Sequence, residues 1–179
     1  DALKVPSPLD AGALNDYAYI LTEFIESGPR GRDFFQEFAR QLADLHHHGA
    51  EQYGLEHDNY IGRLPQENDP MDDWIRFFIE RRLEVQVSMA LDNGLMDRSY
   101  IDRFQRLYHA LPDLLPVEPP SLLHGDLWGG NYMVSARGEA VLIDPAVYYG
   151  HREIELSFTK MFGGFDPVFY QSYHEAYPL

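Results

Sequence analysis

Apolar residues recur along this chain with mostly helical spacing. Asp33 and Gln36 read as an N-cap and capping box for a helix that carries Phe34, Phe38, Leu42 and Leu45 and is ended by Gly49. A second helix starts from Asp69-Pro70, carries Trp74, Phe77, Phe78, Ile79, Leu83 and Val87, and stops at Asn93-Gly94. A third, from Asp97, places Tyr100, Ile101, Phe104, Leu107 and Tyr108 inward and ends before Pro112. Two more cover 151–162 and 167–177, divided by Gly163-Gly164 and capped by Asp166-Pro167. "YAYILTEFIE" (17–26) is apolar and β-branched, and reads as a buried strand running into the loop "SGPRGR". Residues 50–68 show turn chemistry without a period and read as an ordered loop. "NYMV" and "AVLID" flank "SARGE", a β-hairpin in which Gly138 supplies a positive φ. The pattern predicts one helical body, a single strand near its start and a hairpin over 131–143.

Composition narrows the classes of function. The 179 residues are 45% hydrophobic and 24% charged, as in a globular domain, with no apolar run of transmembrane length. Zero cysteines exclude disulfides and thiolate metal sites, so either redox compartment is allowed and the cytoplasm is the default expectation. With 14 basic and 29 acidic residues the net charge is −15, which repels a phosphate backbone, so neither nucleic acid nor membrane is expected as a partner. A phosphate-bearing small ligand would need divalent cations held on carboxylates.

The chemistry concentrates in "LLHGDLWGGNYMVSARGEAVLIDPA" (122–146). The hairpin brings Asn131, at its start, close to Asp144, just past its end, and Asp126 lies five residues before Asn131 across a compact loop. Asn and Asp oxygens suit Mg²⁺, which takes few protein ligands, and leave Asp126 to accept a proton from an attacking hydroxyl. The spacing His124-Gly-Asp126-x₄-Asn131, then Ile143-Asp144-Pro145, matches a kinase catalytic loop and its second metal-binding aspartate. A metal-dependent hydrolase on His124, Asp126 and Asp144 is the chemical rival, and turn-forming Asp and Asn the structural one. His46 to His48 point about 100° apart on a helix, cannot chelate one ion together, and suit the negative end of the helix. "GPRG" (28–31) reads as a hinge rather than a phosphate loop.

"HGDLWGGN", "IDPAVYYGHRE" and "MFGGF", with "DNYIGRLPQEN", "WIRFF" and "RRLEVQ", resemble the fructosamine (ketosamine) kinases over about Val5 to Leu179. The resemblance implies an α+β, mainly helical fold: the large C-terminal lobe of a protein-kinase-like fold over 27–179, with its catalytic loop at 122–146. Residues 1–26 would be the end of the small lobe and the hinge strand, with most of the small lobe absent. It implies ATP- and Mg²⁺-dependent phosphorylation of a sugar hydroxyl on a ketoamine, borne by a small molecule or a protein lysine, and hence protein deglycation. Asp126 would be the base, Asn131 and Asp144 the metal ligands, and His124 a brace for the loop. Trp128 would wall the sugar pocket, and the backbone of Glu23 and Ile25 would read adenine. Tyr148, Tyr149, His151 and Glu153 would support the substrate side.

The chain departs from that family in lacking a Gly-rich loop, a strand lysine and its helical glutamate partner. Its two lysines, Lys4 and Lys160, stand too near the hinge strand and beyond Asp144 respectively. The expectation is therefore a fragment that is inactive alone. The alternatives are a kinase of the aminoglycoside or choline type, and a non-catalytic module that kept the fold.

Overall fold

The structure, a computed structural model, describes residues 3–179. In chain order its elements are β1 (Pro8–Leu14), β2 (Tyr17–Thr22), α1 (Phe34–His46), β3 (Asn59–Ile61), β4 (Leu64–Gln66) and α2 (Trp74–Phe78). A π-helical turn (Ile79–Leu83) joins α2 to α3 (Glu84–Asp92), and a 3₁₀ turn (Arg98–Tyr100) leads into α4 (Ile101–Leu114). Then come β5 (Ser121–Leu123), β6 (Tyr132–Val134), β7 (Ala140–Leu142), β8 (Tyr148–Gly150), α5 (Arg152–Phe162) and α6 (Pro167–Ala176). The strands pair antiparallel as β1–β2, β3–β4, β5–β8 and β6–β7. The chain falls into two compact units: residues 3–48, 124–145 and 153–179, and residues 49–123 with 146–152.

The first unit is built on the helical spacing of α1. Phe34, Phe38, Ala39, Leu42 and Ala43 are buried against Phe169 and Tyr173 of α6, Leu156 of α5, and Tyr132, Ala140 and Leu142 of the β6–β7 hairpin. Burying each such large side chain is worth about 1.5–3 kcal/mol. Asp33 does precede α1, but at φ −108° and ψ 32° its carboxylate caps nothing; its backbone carbonyl accepts the Glu37 N–H at 3.0 Å instead. The expected capping box is not made, because a cap residue needs extended backbone to reach the first turn. Asp166 does cap α6, accepting the Val168 N–H at 3.0 Å.

The hairpin forms as predicted, with Gly138 at φ 79°. The loop read as a hinge lies along it: Gly28 donates to Val134 O at 3.0 Å and Gly31 to Gly138 O at 3.2 Å. The segment expected as a buried single strand is instead half of a hairpin with β1, turning at Asn15-Asp16, and β2 is exposed along its whole length. A two-stranded ribbon has no second layer for either face, so its apolar pattern remains unburied.

In the second unit the helix begins later than expected. Asp73, not Asp69, caps it, accepting the Arg76 N–H at 2.6 Å, while Asp69 pairs with Arg81 at 3.2 Å. The loop at 50–68 contains the β3–β4 hairpin. Asn59 and Gln66 of that hairpin donate to the carbonyls of Val147 (2.7 Å) and Ala146 (3.1 Å). α4 absorbs Pro112 and runs on to Leu114; it buries Tyr108 and Leu111 but leaves Leu107 exposed, and Tyr100, in the turn before it, is exposed as well.

Candidate active site

The loop between β5 and β6 is fixed from both faces of its own backbone. Leu127, wholly buried, anchors its middle in the core of the first unit. On either side of it Asp126 is half-buried and Trp128 is exposed, its ring lying over Gly130. The Asn131 side-chain amide donates to Asp126 twice, to the backbone carbonyl at 2.8 Å and to carboxylate Oδ2 at 2.9 Å. The Ile143 N–H donates to Asn131 O at 3.1 Å, and the next residue, Asp144, takes up left-handed backbone at φ 54°, exposed. An aspartate is among the few side chains that tolerate this conformation.

His124 is buried and fully engaged. Its Nε2 donates to Ile143 O at 2.9 Å, and its Nδ1 accepts the Asp126 N–H at 3.3 Å. These partners set the tautomer, with the proton on Nε2, and tie Asp126 to the far strand of the hairpin. Burial pushes the Asp126 carboxyl above its ordinary range; Asn131 and His124 oppose that shift, while the charges of Asp144 and Glu155 add to it.

Glu155 of α5 is a site residue that the sequence reading passed over. Its Oε1 accepts the Gly125 N–H at 2.7 Å, and Oε2 accepts the His124 N–H at 3.2 Å. Oε2 also meets His46 Nε2 at 2.8 Å, and His46 Nδ1 lies 2.7 Å from the Tyr173 hydroxyl. Burial alone would raise this carboxyl, yet hydrogen bonding and charge from His46, with help from His124 and Gly125, hold it below the ordinary glutamate range. The sequence signal was a glutamate on the face of α5 that also buries Leu156 and Thr159. Of the three histidines, His46 is thus a buried structural partner, and His47 stacks on Tyr177 at 4.0 Å.

The Glu23 N–H donates to Ser7 O at 2.8 Å, its carboxylate meets Lys4 at 3.6 Å, and Ile25 is buried while Phe24 is 87% exposed. A cavity of about 230 Å³ opens there, lined by Lys4, Glu23, Phe24, Ile25, Ser135 and Arg137 among others. Tyr148 and Tyr149 belong to the second unit. Tyr148 is buried beneath Arg82 at 4.2 Å, and Tyr149 exchanges two 2.8 Å backbone bonds with Gly54. His151 donates to Pro116 O at 3.0 Å, a packing role in that same unit.

Turning its amide nitrogen to Asp126 directs Asn131 Oδ1 away from it, and Asp144 supplies a carboxylate nearby. Two hard oxygens without nitrogen or sulfur suit a cation that completes its shell with phosphate and water. Among the described residues no cluster of three or more His, Cys, Asp or Glu could form an all-protein cage. None of the helices among the described residues is long and apolar enough to cross a membrane.

The fold is α+β and closely matches two solved structures, each described as a "putative fructosamine-3-kinase". With the protein from Haemophilus somnus the TM-score is 0.90 at 31% identity, over 99% of this chain and 60% of the other. With that from Thermobifida fusca it is 0.85 at 34% identity, over 98% and 60%. The chain belongs to the fructosamine kinase family, whose profile matches residues 1–179. It is 38% identical to a "Probable ketoamine kinase" of Lactiplantibacillus plantarum, over 98% of this chain and 62% of that protein. It is likewise 38% identical to the chloroplastic protein-ribulosamine 3-kinase of Arabidopsis thaliana, over 98% and 55%. The chain thus spans about six tenths of the length of the curated relatives it matches.

Proposed function

We propose that this chain carries the catalytic loop of an ATP-dependent kinase that phosphorylates a sugar hydroxyl of ketoamines, and so serves protein deglycation. The observation that carries the reading is the pair of hydrogen bonds from Asn131 to Asp126, beside a left-handed Asp144. That arrangement supports a reading in which one Asp126 oxygen receives the acceptor hydroxyl and the Asn131 and Asp144 oxygens serve a cation. A rival metal-dependent hydrolase would use His124 as a ligand, but both of its ring nitrogens are already engaged.

In this reading Asp126 would accept the proton of the sugar hydroxyl as its oxygen attacks the γ-phosphorus of ATP and the bond to the β,γ-bridging oxygen breaks, releasing ADP. Its raised affinity for a proton suits a base that must take one up in the transition state. Asn131 and Asp144 would hold Mg²⁺, which would neutralise charge on the phosphates that this acidic chain cannot offset. Trp128 walls the acceptor side, and Tyr148 and Tyr149 are assigned to the substrate side as well. Adenine would be read at the hinge, through the Glu23 carbonyl, since the Glu23 N–H is committed to Ser7, and through the Ile25 backbone. Residues 1–26 would close a small lobe and 27–179 form the large one. Neither lysine of the chain fills the place of a phosphate-gripping strand lysine: Lys4 pairs with Glu23, and Lys160 lies over the Tyr170 ring. The 179 residues alone should therefore not turn over ATP.

The test is Asp126→Asn in the full-length protein, assayed on ribulosamine, fructosamine, aminoglycoside and choline acceptors. Ketoamine transfer should vanish while ATP·Mg binding persists. Transfer retained by the variant removes Asp126 from the base role, and wild-type preference for another acceptor replaces the ketoamine assignment.

A further inference from the structure

The motif "MFGGF" has no part in the chemistry above, yet its two glycines press on the catalytic loop. Gly129 donates its N–H to Gly163 O at 2.9 Å. A Cβ on Gly164 would stand 2.4 Å from Gly129 Cα, and one on Gly129 would stand 2.9 Å from Gly164 Cα. Gly163 and Gly164 both hold positive φ, 78° and 103°. Two backbones meet here with no room for a side chain between them.

Tyr132, the residue after Asn131, extends this contact. Its hydroxyl donates to Gly164 O at 2.8 Å and accepts from Arg30 Nη2 at 3.0 Å. The Arg30 guanidinium in turn lies over the Phe35 ring at 4.8 Å. We propose that the Gly163–Gly164 turn and Tyr132 form a clasp that positions the catalytic loop, Tyr132 acting on Asp126 through Asn131. This rests on the reading of Asp126 as the base. Glu155 holds the backbone before Asp126, at His124 and Gly125, and Gly163 holds the backbone after it, at Gly129. Both anchors belong to α5 and the turn that ends it, about 12 Å apart along the helix at 1.5 Å per residue. Asp126 is suspended between them, so its reach toward an acceptor is set by one rigid helix.

Trp128, one residue from Gly129, reports on the clasp without any chemistry, and the chain has only one other tryptophan, Trp74 in the second unit. The indole N–H resonances of the 179-residue chain should show Trp128 displaced in Tyr132→Phe and in Gly164→Ala, with Trp74 unmoved. Leu95→Ala, at an exposed loop position, should move neither. In the full-length protein Tyr132→Phe should lower kcat about tenfold, as expected for one lost hydrogen bond, with KM for ATP unchanged. A role confined to core packing would lower the thermal midpoint and leave the Trp128 resonance and kcat in place, which overturns the clasp. Should the wild-type full-length protein phosphorylate no ketoamine, the proposed function fails, while the indole shifts still decide whether the loop is clasped.

Discussion

The side-chain amide of Asn131 grips Asp126 at two oxygens, one on the backbone and one on the carboxylate. Under the proposed function, this single residue would both orient the base and present an oxygen to the cation. Asn131→Ala should remove the two functions together. Transfer by the full-length protein should fall about 10²-fold, the low end for a positioned proton acceptor, and the Mg²⁺ concentration at half-maximal rate should rise. A Mg²⁺ titration of rate checks both.

The Glu155 carboxylate should dominate the stability of the first unit. Glu155→Ala leaves buried His46 and two loop N–H groups without their acceptor, and should cost about 3–5 kcal/mol. Urea unfolding of Glu155→Ala, His46→Ala and the double variant should give strongly non-additive losses, because the second removal finds the pair already broken.

Acid should act through the same carboxylate. The folded-state value of Glu155 lies below its unfolded one, so its contribution is complete above the ordinary glutamate range and is lost as pH falls through the lowered value. The urea midpoint should drop on acidification below that range, and Glu155→Gln should flatten the dependence. Asp126 runs in the opposite sense. Its raised value means that its stabilising contribution is lost as pH rises; with Asp126 as the proposed base, the acid limb of the transfer rate should sit above the ordinary aspartate range.

Exposed apolar strands carry a cost in solubility. Leu9 and Ile20 are 65% and 74% exposed on the β1–β2 ribbon. Leu9→Lys with Ile20→Lys should lower aggregation of the 179-residue chain, read by light scattering at matched concentration.

The geometry of the 122–146 segment was more legible than the fold around it. Asp126, Asn131 and Asp144 could be placed together because a hairpin is a local device, and its turn residues are written in five consecutive positions. Glu155 and the Gly163–Gly164 turn were not legible as partners of that loop, since no spacing joins residues some thirty positions apart; only packing does. The same limit explains β2: an apolar strand predicts burial, but burial requires a second layer, and strand pattern alone does not say whether one is there. The misplaced helix start had a local cause. Asp69-Pro70 and Asp73 offer equal capping chemistry, and the backbone pairing of Tyr53 with Met71 keeps the chain extended until Asp73.

Asp126, Leu127 and Trp128 are consecutive, and they are respectively half-buried, sealed in the core and exposed. Under the proposed function, chemistry, folding and recognition are thereby threaded through three neighbouring codons. Leu127→Ala touches no ligand, yet it would register in any activity screen as a dead enzyme. A survey of variants in this family that scores function alone would mistake the keystone of the loop for a member of its catalytic set.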